Sequence, residues 1–201
     1  MYSSAQNFVA LVEATKINDV DTVHHLMWAC KPKDRKSLPF ITAAQYGSLE
    51  CLEALKTVSD VTSNDAQALK EAAKNGHLDC VKFLWNRSIP HLQSRGVKAL
   101  IGATCTGQLE VMQYILDQGV DPHYKMSQPL CEAVLHNQYE AVNLLYEISN
   151  PDHVLTTLQS RWSNLYNQWQ WFEELVTAKK QKTVLNNEIL GESNQSVRRK
   201  I

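Results

Sequence analysis

The segment that decides the fold is Leu69–Leu84, which reads LKEAAKNGHLDCVKFL. Shifted back by 29 residues it aligns with Phe40–Leu55, and shifted forward by 31 it aligns with Leu100–Ile115. Two further copies centre on Asn18 and Asn137. One apolar position, spaced 29, 29, 31 and 30 residues apart, is filled in successive copies by Val23, Leu52, Val81, Met112 and Val142. A fixed period of this length predicts a repeat protein with five copies of one unit.

Each unit has the pattern of two helices joined by a tight turn. The small pair Ala72-Ala73 allows the first helix to approach a neighbour closely, and Gly76 ends that helix because glycine adopts a left-handed backbone without strain. In the outer copies asparagine, the next most tolerant residue, replaces the glycine. Leu78, Val81 and Leu84 follow at helical spacing. One pair cannot bury its own apolar stripe, so the pairs must stack.

Several segments resemble the ankyrin repeat. Leu38–Ala44 (LPFITAA) and Gln128–Val134 (QPLCEAV) look like the family's opening Thr-Pro-Leu-His-x-Ala-Ala. Ala73–Leu78 (AKNGHL) is similar to its helix–turn–helix centre, and Gln118–Pro122 (QGVDP) to the Gly-Ala-Asp that opens a finger, the loop between units. The resemblance covers roughly residues 5 to 148. It implies an all-α, ankyrin-like solenoid of about five helix pairs with a C-terminal capping helix or helices.

The sequence departs from the family pattern in its period and its opening motif. The period of about 30 is shorter than the family's 33, and the opening threonine and histidine are mostly absent. We therefore expect shortened or irregular fingers, especially over Thr57–Asn64. Short divergent units of this kind resemble those in proteins of intracellular bacteria and giant viruses.

The C-terminal quarter begins a different pattern, and we divide the chain into a repeat stack (1–150), a Trp-rich helical cap (151–185) and a flexible tail (186–201). Asn150-Pro151-Asp152 predicts a helix start. A heptad-like apolar series follows: Leu155, Leu158, Trp162, Leu165, Trp169, Phe172 and Val176. It predicts a cap on the fifth repeat; the alternatives are a coiled-coil or dimer contact and a degenerate sixth helix pair broken near 160–164. Trp171 lies off this series, and is either a binding anchor or covered by the tail.

Composition excludes several functions. Balanced charge, with 20 Lys+Arg against 21 Asp+Glu, argues against a nucleic-acid partner. The sequence has no apolar run long enough for a membrane span and no secretory signal pattern at its start. Five cysteines without a CxxC pair indicate reduced thiols in the cytoplasm, which would be the host cytosol for a pathogen effector. We expect a monomer.

No catalytic motif is present, so we expect no enzyme, cofactor or metal site. Cys105 and His136 fall near the inner-helix ends of adjacent units and form a conceivable nucleophile pair, but no orienting acid is evident. His77 occupies the family's own turn position, where the resemblance implies a structural hydrogen bond.

We expect the partner to be another protein, with an acidic surface. The resemblance places the two residues before each turn, together with the fingers, on one concave face. The finger residues have a cationic bias and include Trp28, Arg35, Lys36, Arg95, Lys98, His123, Tyr124 and Lys125. The candidate partner-binding residues are Tyr46, Gln45, Lys74, Asn75, Thr106, His136, Arg35, Lys36, Tyr124 and Trp171. The alternatives are a substrate-recruiting domain of a larger enzyme or effector and a scaffold that self-associates through the C-terminal helix.

Overall fold

All regular secondary structure in the described part of the chain is helical. The structure, a computed structural model, describes residues 4–30, 37–58, 61–87, 92–160 and 166–198. Within these ranges there are twelve helices and no strand. The helices are α1 (Ser4–Lys16), α2 (Val20–Leu26), α3 (Leu38–Tyr46), α4 (Leu49–Leu55), α5 (Val61–Lys74), α6 (Leu78–Arg87), α7 (Leu92–Thr106), α8 (Leu109–Asp117), α9 (Tyr124–Leu135), α10 (Tyr139–Tyr146), α11 (Pro151–Gln159) and α12 (Tyr166–Arg198).

The first ten helices form the five predicted pairs. The odd-numbered helices stack in chain order from α1 to α9 as an inner row, and α2, α4, α6 and α8 stack as an outer row. The repeated apolar position is fully buried in every copy, at Val23, Leu52, Val81, Met112 and Val142. The all-α repeat solenoid predicted from the sequence is confirmed.

All five turns between inner and outer helices use a left-handed residue. The φ angles are 56° at Asn18, 74° at Gly47, 79° at Gly76, 71° at Gly107 and 55° at Asn137. The prediction for Gly76 is therefore confirmed. Asparagine is one of the few residues with a side chain that tolerates this backbone, which explains its use in the first and fifth copies.

Gly47, the turn glycine of the second copy, also leaves room for a side chain of the third copy. The imidazole of His77 lies over Gly47, and a Cβ on Gly47 would stand 2.5 Å from His77 Nδ1. From this position His77 Nε2 donates to the backbone carbonyl of Gln45 at 2.9 Å. Glycine is thus required twice, by the backbone conformation and by the neighbouring ring.

The same arrangement recurs along the stack with glutamine in place of histidine. The side chain of Gln108 lies over Gly76, and that of Gln138 lies over Gly107. Gln138 Nε2 also donates to the backbone carbonyl of Cys105 at 3.4 Å. The residue after each of these turns therefore contacts the preceding turn and helps to set the register of the stack.

The connection over Thr57–Asn64 is shortened, as predicted, because α5 begins at Val61. The assignment of three residues to fingers is wrong. Arg95 and Lys98 lie within α7 rather than in a finger, and Tyr124 is the first residue of α9. Helical structure reaches into these segments, so the inner helices α5 and α7 are longer than the repeat pattern suggests.

Helix α11 continues the inner row and α12 lies across it. The side chain of Asn150 caps α11 by accepting from the backbone N–H groups of Asp152 and His153, which confirms the predicted helix start. Helix α11 packs on α9, and α12 packs on both. Because α11 ends at Gln159 and α12 begins at Tyr166, the described members of the heptad-like series are divided between two helices. Trp162 and Leu165 lie outside the described residues. This arrangement has the topology of the degenerate sixth pair, and its buried apolar residues are Val154, Leu158, Phe172 and Val176.

Polar and aromatic contacts attach α12 to the stack. Lys179 pairs with Glu147 at 3.1 Å and Lys180 pairs with Asp152 at 2.8 Å. The half-buried ring of Trp171 meets Tyr139 of α10 edge to face, with centroids 4.8 Å apart.

Helix α12 extends into the segment predicted to be a flexible tail. Beyond Gly191, where we expect an irregular segment, the described backbone continues as a helix to Arg198. The flexibility of residues 186–201 stays a prediction, as do the boundaries between the three predicted regions.

Candidate partner-binding face

The inner helices present a periodic surface. The positions nine, six and two residues before each turn follow i, i+3, i+7 spacing and so lie on one side of a helix. In α5 and α7 these positions are occupied by Gln67, Lys70, Lys74, Lys98, Ile101 and Cys105.

A groove runs across this surface between α5, α7 and α9. Its cavity volume is about 500 Å³. We call it the lysine groove, and its lining residues are Gln67, Lys70, Ser94, Val97, Lys98, Ile101, Tyr124, Lys125 and Gln128. Of the predicted site residues, it includes Tyr124.

Close contact between α5 and α7 brings the groove's positive charges together. Gly102 of α7 faces the backbone of α5, because a Cβ there would lie 3.0 Å from the carbonyl oxygen of Lys70 and 3.6 Å from Lys74 Cβ. Any larger residue would push the two helices apart. Gly102 therefore positions the lysines of α5 beside Lys98 on α7.

Among the described residues, the groove's lysines have no carboxylate partner. Lys70, Lys98 and Lys125 form no ion pair within 4.0 Å in the part of the chain that the structure describes. Lys125 Nζ lies 5.7 Å from the ring centroid of Tyr124, so the two side chains lie side by side. The groove thus offers positive charge next to an aromatic surface.

The predicted partner-binding residues just before the turns are exposed. Not all of them are free of a structural role. Gln45, Tyr46, Lys74, Asn75 and His136 are all exposed, Tyr46 by 50%.

Thr106, which directly precedes the turn at Gly107, has a structural role. Its hydroxyl donates to the carbonyl of Lys74 at 2.5 Å, linking adjacent repeats. A substitution at Thr106 therefore changes the stack as well as the surface.

Three predicted residues fall outside this surface or outside the described part. Arg35 and Lys36 lie outside the described residues. Trp171 packs against Tyr139 on the C-terminal helix and is absent from the groove lining. The sequence prediction that these three contact a partner stays a prediction.

Sequence reasoning missed two kinds of surface residue. Lys70 and Gln67 line the groove, and the i, i+3, i+7 pattern before the turn would have identified them. Ile17 occupies in the first copy the position that Tyr46 occupies in the second, and it is 77% exposed. Aligning the first copy by its turn residue, Asn18, would have placed Ile17 in the predicted row.

None of the five cysteines, all of which lie in the described residues, forms a disulfide. Cys30, Cys51, Cys80 and Cys131 are buried, whereas Cys105 is half-buried. Burial raises the pKa of Cys51 and of Cys80 to about 11, and nearby carboxylates add to the shift. Burial also raises the pKa of Cys105, with Glu132 as the next cause, while Lys70 and Lys74 lower it.

We expect iodoacetamide to distinguish these thiols in the folded chain. A pKa near 11 in place of 9.0 reduces the thiolate fraction at pH 8 about 100-fold. Alkylation followed by peptide mass spectrometry should therefore label Cys105 well before Cys51 or Cys80. Unfolding in urea serves as the control and should make the rates similar; equal rates in the folded state would contradict the assigned burial.

The stacked helix pairs, the left-handed turns and the inner-helix face define the class of protein: an all-α, ankyrin-like repeat solenoid. Residues 11–92 match the family model described as ankyrin repeats (3 copies). A similar curated protein is the ankyrin repeat and KH domain-containing protein mask-1 of Caenorhabditis elegans, 25% identical over 150 residues that make up 69% of this chain. The match spans only 6% of that relative's length. Residues 11–92 are thus similar to ankyrin repeats, and the helix pairs that follow them continue the same stack.

Ankyrin repeats are in general protein–protein interaction modules without enzymatic activity. Among the described helices, none combines the length and the apolar composition needed to cross a membrane.

Proposed function

We propose that this chain binds a partner protein by holding an acidic segment of that partner in the lysine groove. The observation that carries the proposal is the set of lysines on α5, α7 and α9 that have no carboxylate partner among the residues the structure describes. Lysines gathered this closely repel one another, and a bound carboxylate relieves that repulsion. Complementary charge also accelerates the encounter of two proteins.

Apolar side chains on the N-terminal repeats supply a second element of recognition. Tyr46 and Ile17 are both exposed and occupy equivalent positions in adjacent repeats. Exposed aromatic and aliphatic residues commonly anchor a partner, whereas charges set orientation and rate. We therefore expect the partner segment to combine acidic residues, which enter the groove, with an apolar residue that meets Tyr46.

Selection of peptides against the folded chain tests the proposal. We expect peptides selected from a random display library to carry an excess of Asp and Glu. Reversal of two groove charges in the Lys70→Glu, Lys98→Glu variant should weaken their binding by about tenfold or more, because each reversal replaces attraction with repulsion. The measurement is fluorescence anisotropy at low and at physiological ionic strength, with circular dichroism to confirm folding.

The matched control carries the same charge change elsewhere. Lys56, at the end of α4, and Lys182, on α12, are exposed and do not line the groove. The Lys56→Glu, Lys182→Glu variant should bind nearly as well as the wild type. Selected peptides without an acidic excess, or equal weakening by both variants, would contradict the proposal. Loss of binding in the control alone would favour an interface at α12, the element through which a self-associating scaffold would act.

A further inference from the structure

Three side chains of types that can bind a metal ion lie close together at one end of the inner-helix face. The sulfur of Cys105, a carboxylate oxygen of Glu132 and an imidazole nitrogen of His136 all lie within 4.8 Å of one another. Cys105 is near the end of α7, while Glu132 and His136 lie four residues apart at the end of α9 and therefore on the same side of that helix. The stacking of two repeats brings the three together.

These three groups suit zinc better than magnesium or calcium. Thiolate and imidazole are preferred by borderline-soft metals, whereas magnesium and calcium favour oxygen ligands alone. Zinc binds at about 2.0–2.3 Å from each ligand, so tetrahedral donors stand roughly 3.3–3.8 Å apart. His136 Nε2 and Glu132 Oε2 are already 3.7 Å apart. A small side-chain rotation closes the remaining distances, because the His136 side chain is 49% exposed and has room to move.

We propose that Cys105, Glu132 and His136 bind one Zn²⁺ ion per chain, with water in the fourth position. Cys105 is half-buried whereas the other four cysteines are buried, so it is the cysteine most accessible to an ion from solution. Its backbone is held by the bond from Gln138 to its carbonyl, and Gln128 donates to Glu132 at 3.5 Å. Outer partners of this kind orient the ligands of metal sites.

The nearby lysines are compatible with the site. Lys70 and Lys74 favour the thiolate form of Cys105, which is the form that binds metal. Their repulsion of the ion is offset because a thiolate and a carboxylate neutralise both charges of Zn²⁺. The proposal is independent of the proposed partner binding, since Cys105, Glu132 and His136 are not part of the groove lining.

Cobalt substitution provides a direct readout. Titration of the reduced, full-length chain with Co²⁺ should produce the visible bands of a four-coordinate ion together with a thiolate-to-cobalt charge-transfer band. Zn²⁺ should displace the cobalt and abolish both, and native mass spectrometry should find one metal per chain. Absence of the charge-transfer band, or one ion shared between two chains, would overturn the proposal.

Variants then assign the ligands. Cys105→Ser should remove the charge-transfer band, and Glu132→Gln and His136→Ala should each weaken zinc binding more than about 100-fold, since loss of even an outer partner costs 10–100-fold. His153→Ala is the matched control, because His153 is equally exposed but lies on α11, and it should leave binding unchanged. Glu132→Gln preserves shape, which keeps the test valid if Cys105→Ser fails to fold. A charge-transfer band that survives in Cys105→Ser, or wild-type zinc affinity in Glu132→Gln, would refute the site.

Discussion

The Phe172→Ala variant is expected to lose about 3–5 kcal/mol of unfolding free energy, the usual cost of removing a large aromatic side chain from a core. Phe172 is fully buried, and it lies on α12 where that helix packs against α9 and α11. The substitution leaves a cavity at this junction and weakens the attachment of α12. We expect urea denaturation followed by circular dichroism to show the loss, with early release of the C-terminal helices.

A variant on the same helix controls for effects on α12 itself. Leu185 is 56% exposed, so Leu185→Ala should change stability by no more than about 0.5 kcal/mol. If Phe172→Ala cost as little as this control, α12 would not be part of the folded core. The interpretation of this segment as a cap on the fifth repeat would then be wrong.

The Gly47→Ala variant should be destabilised by about 2–4 kcal/mol. A left-handed backbone with a Cβ costs about 1–2 kcal/mol. The new methyl group would also displace the His77 ring and break its bond to the Gln45 carbonyl, a net loss of about 0.5–1.5 kcal/mol before the lost packing is counted. Urea unfolding of the single variant measures the combined cost.

Two further variants separate strain from collision. Gly119 has a similar φ of 81°, but a Cβ there would meet no atom within 4 Å, so Gly119→Ala should show the backbone cost alone. In a His77→Ala background, Gly47→Ala should likewise cost only about 1–2 kcal/mol. Equal costs for Gly47→Ala and Gly119→Ala, or additivity with His77→Ala, would mean that the ring does not press on the glycine.

The local part of this fold was predictable from the sequence because it is periodic. Spacing of apolar residues such as Val81 and Leu84 identifies the helix pairs, and a glycine or asparagine marks each turn. Both signals lie within one repeat. The helix start at Asn150-Pro151 is equally local, since a cap acts on the residues that follow it.

The candidate sites were less predictable because they form between repeats. The lysine groove draws on three helices, and its depth depends on how closely Gly102 lets α7 approach α5. Glu132, the acid that sequence reasoning did not find beside Cys105 and His136, is 27 residues from that cysteine. Distances of this kind follow from the stacking geometry, which periodicity alone does not specify.

The bonds between repeats have a consequence for how this surface can evolve. The carbonyls of Gln45, Lys74 and Cys105 accept bonds from His77, Thr106 and Gln138 of the following repeats. The acceptor is in each case a main-chain atom that survives any change of the residue carrying it. Mutation can therefore alter the side chains of Gln45, Lys74 and Cys105 without removing the hydrogen bonds that join the repeats. The binding specificity of this surface can change while the fold is maintained.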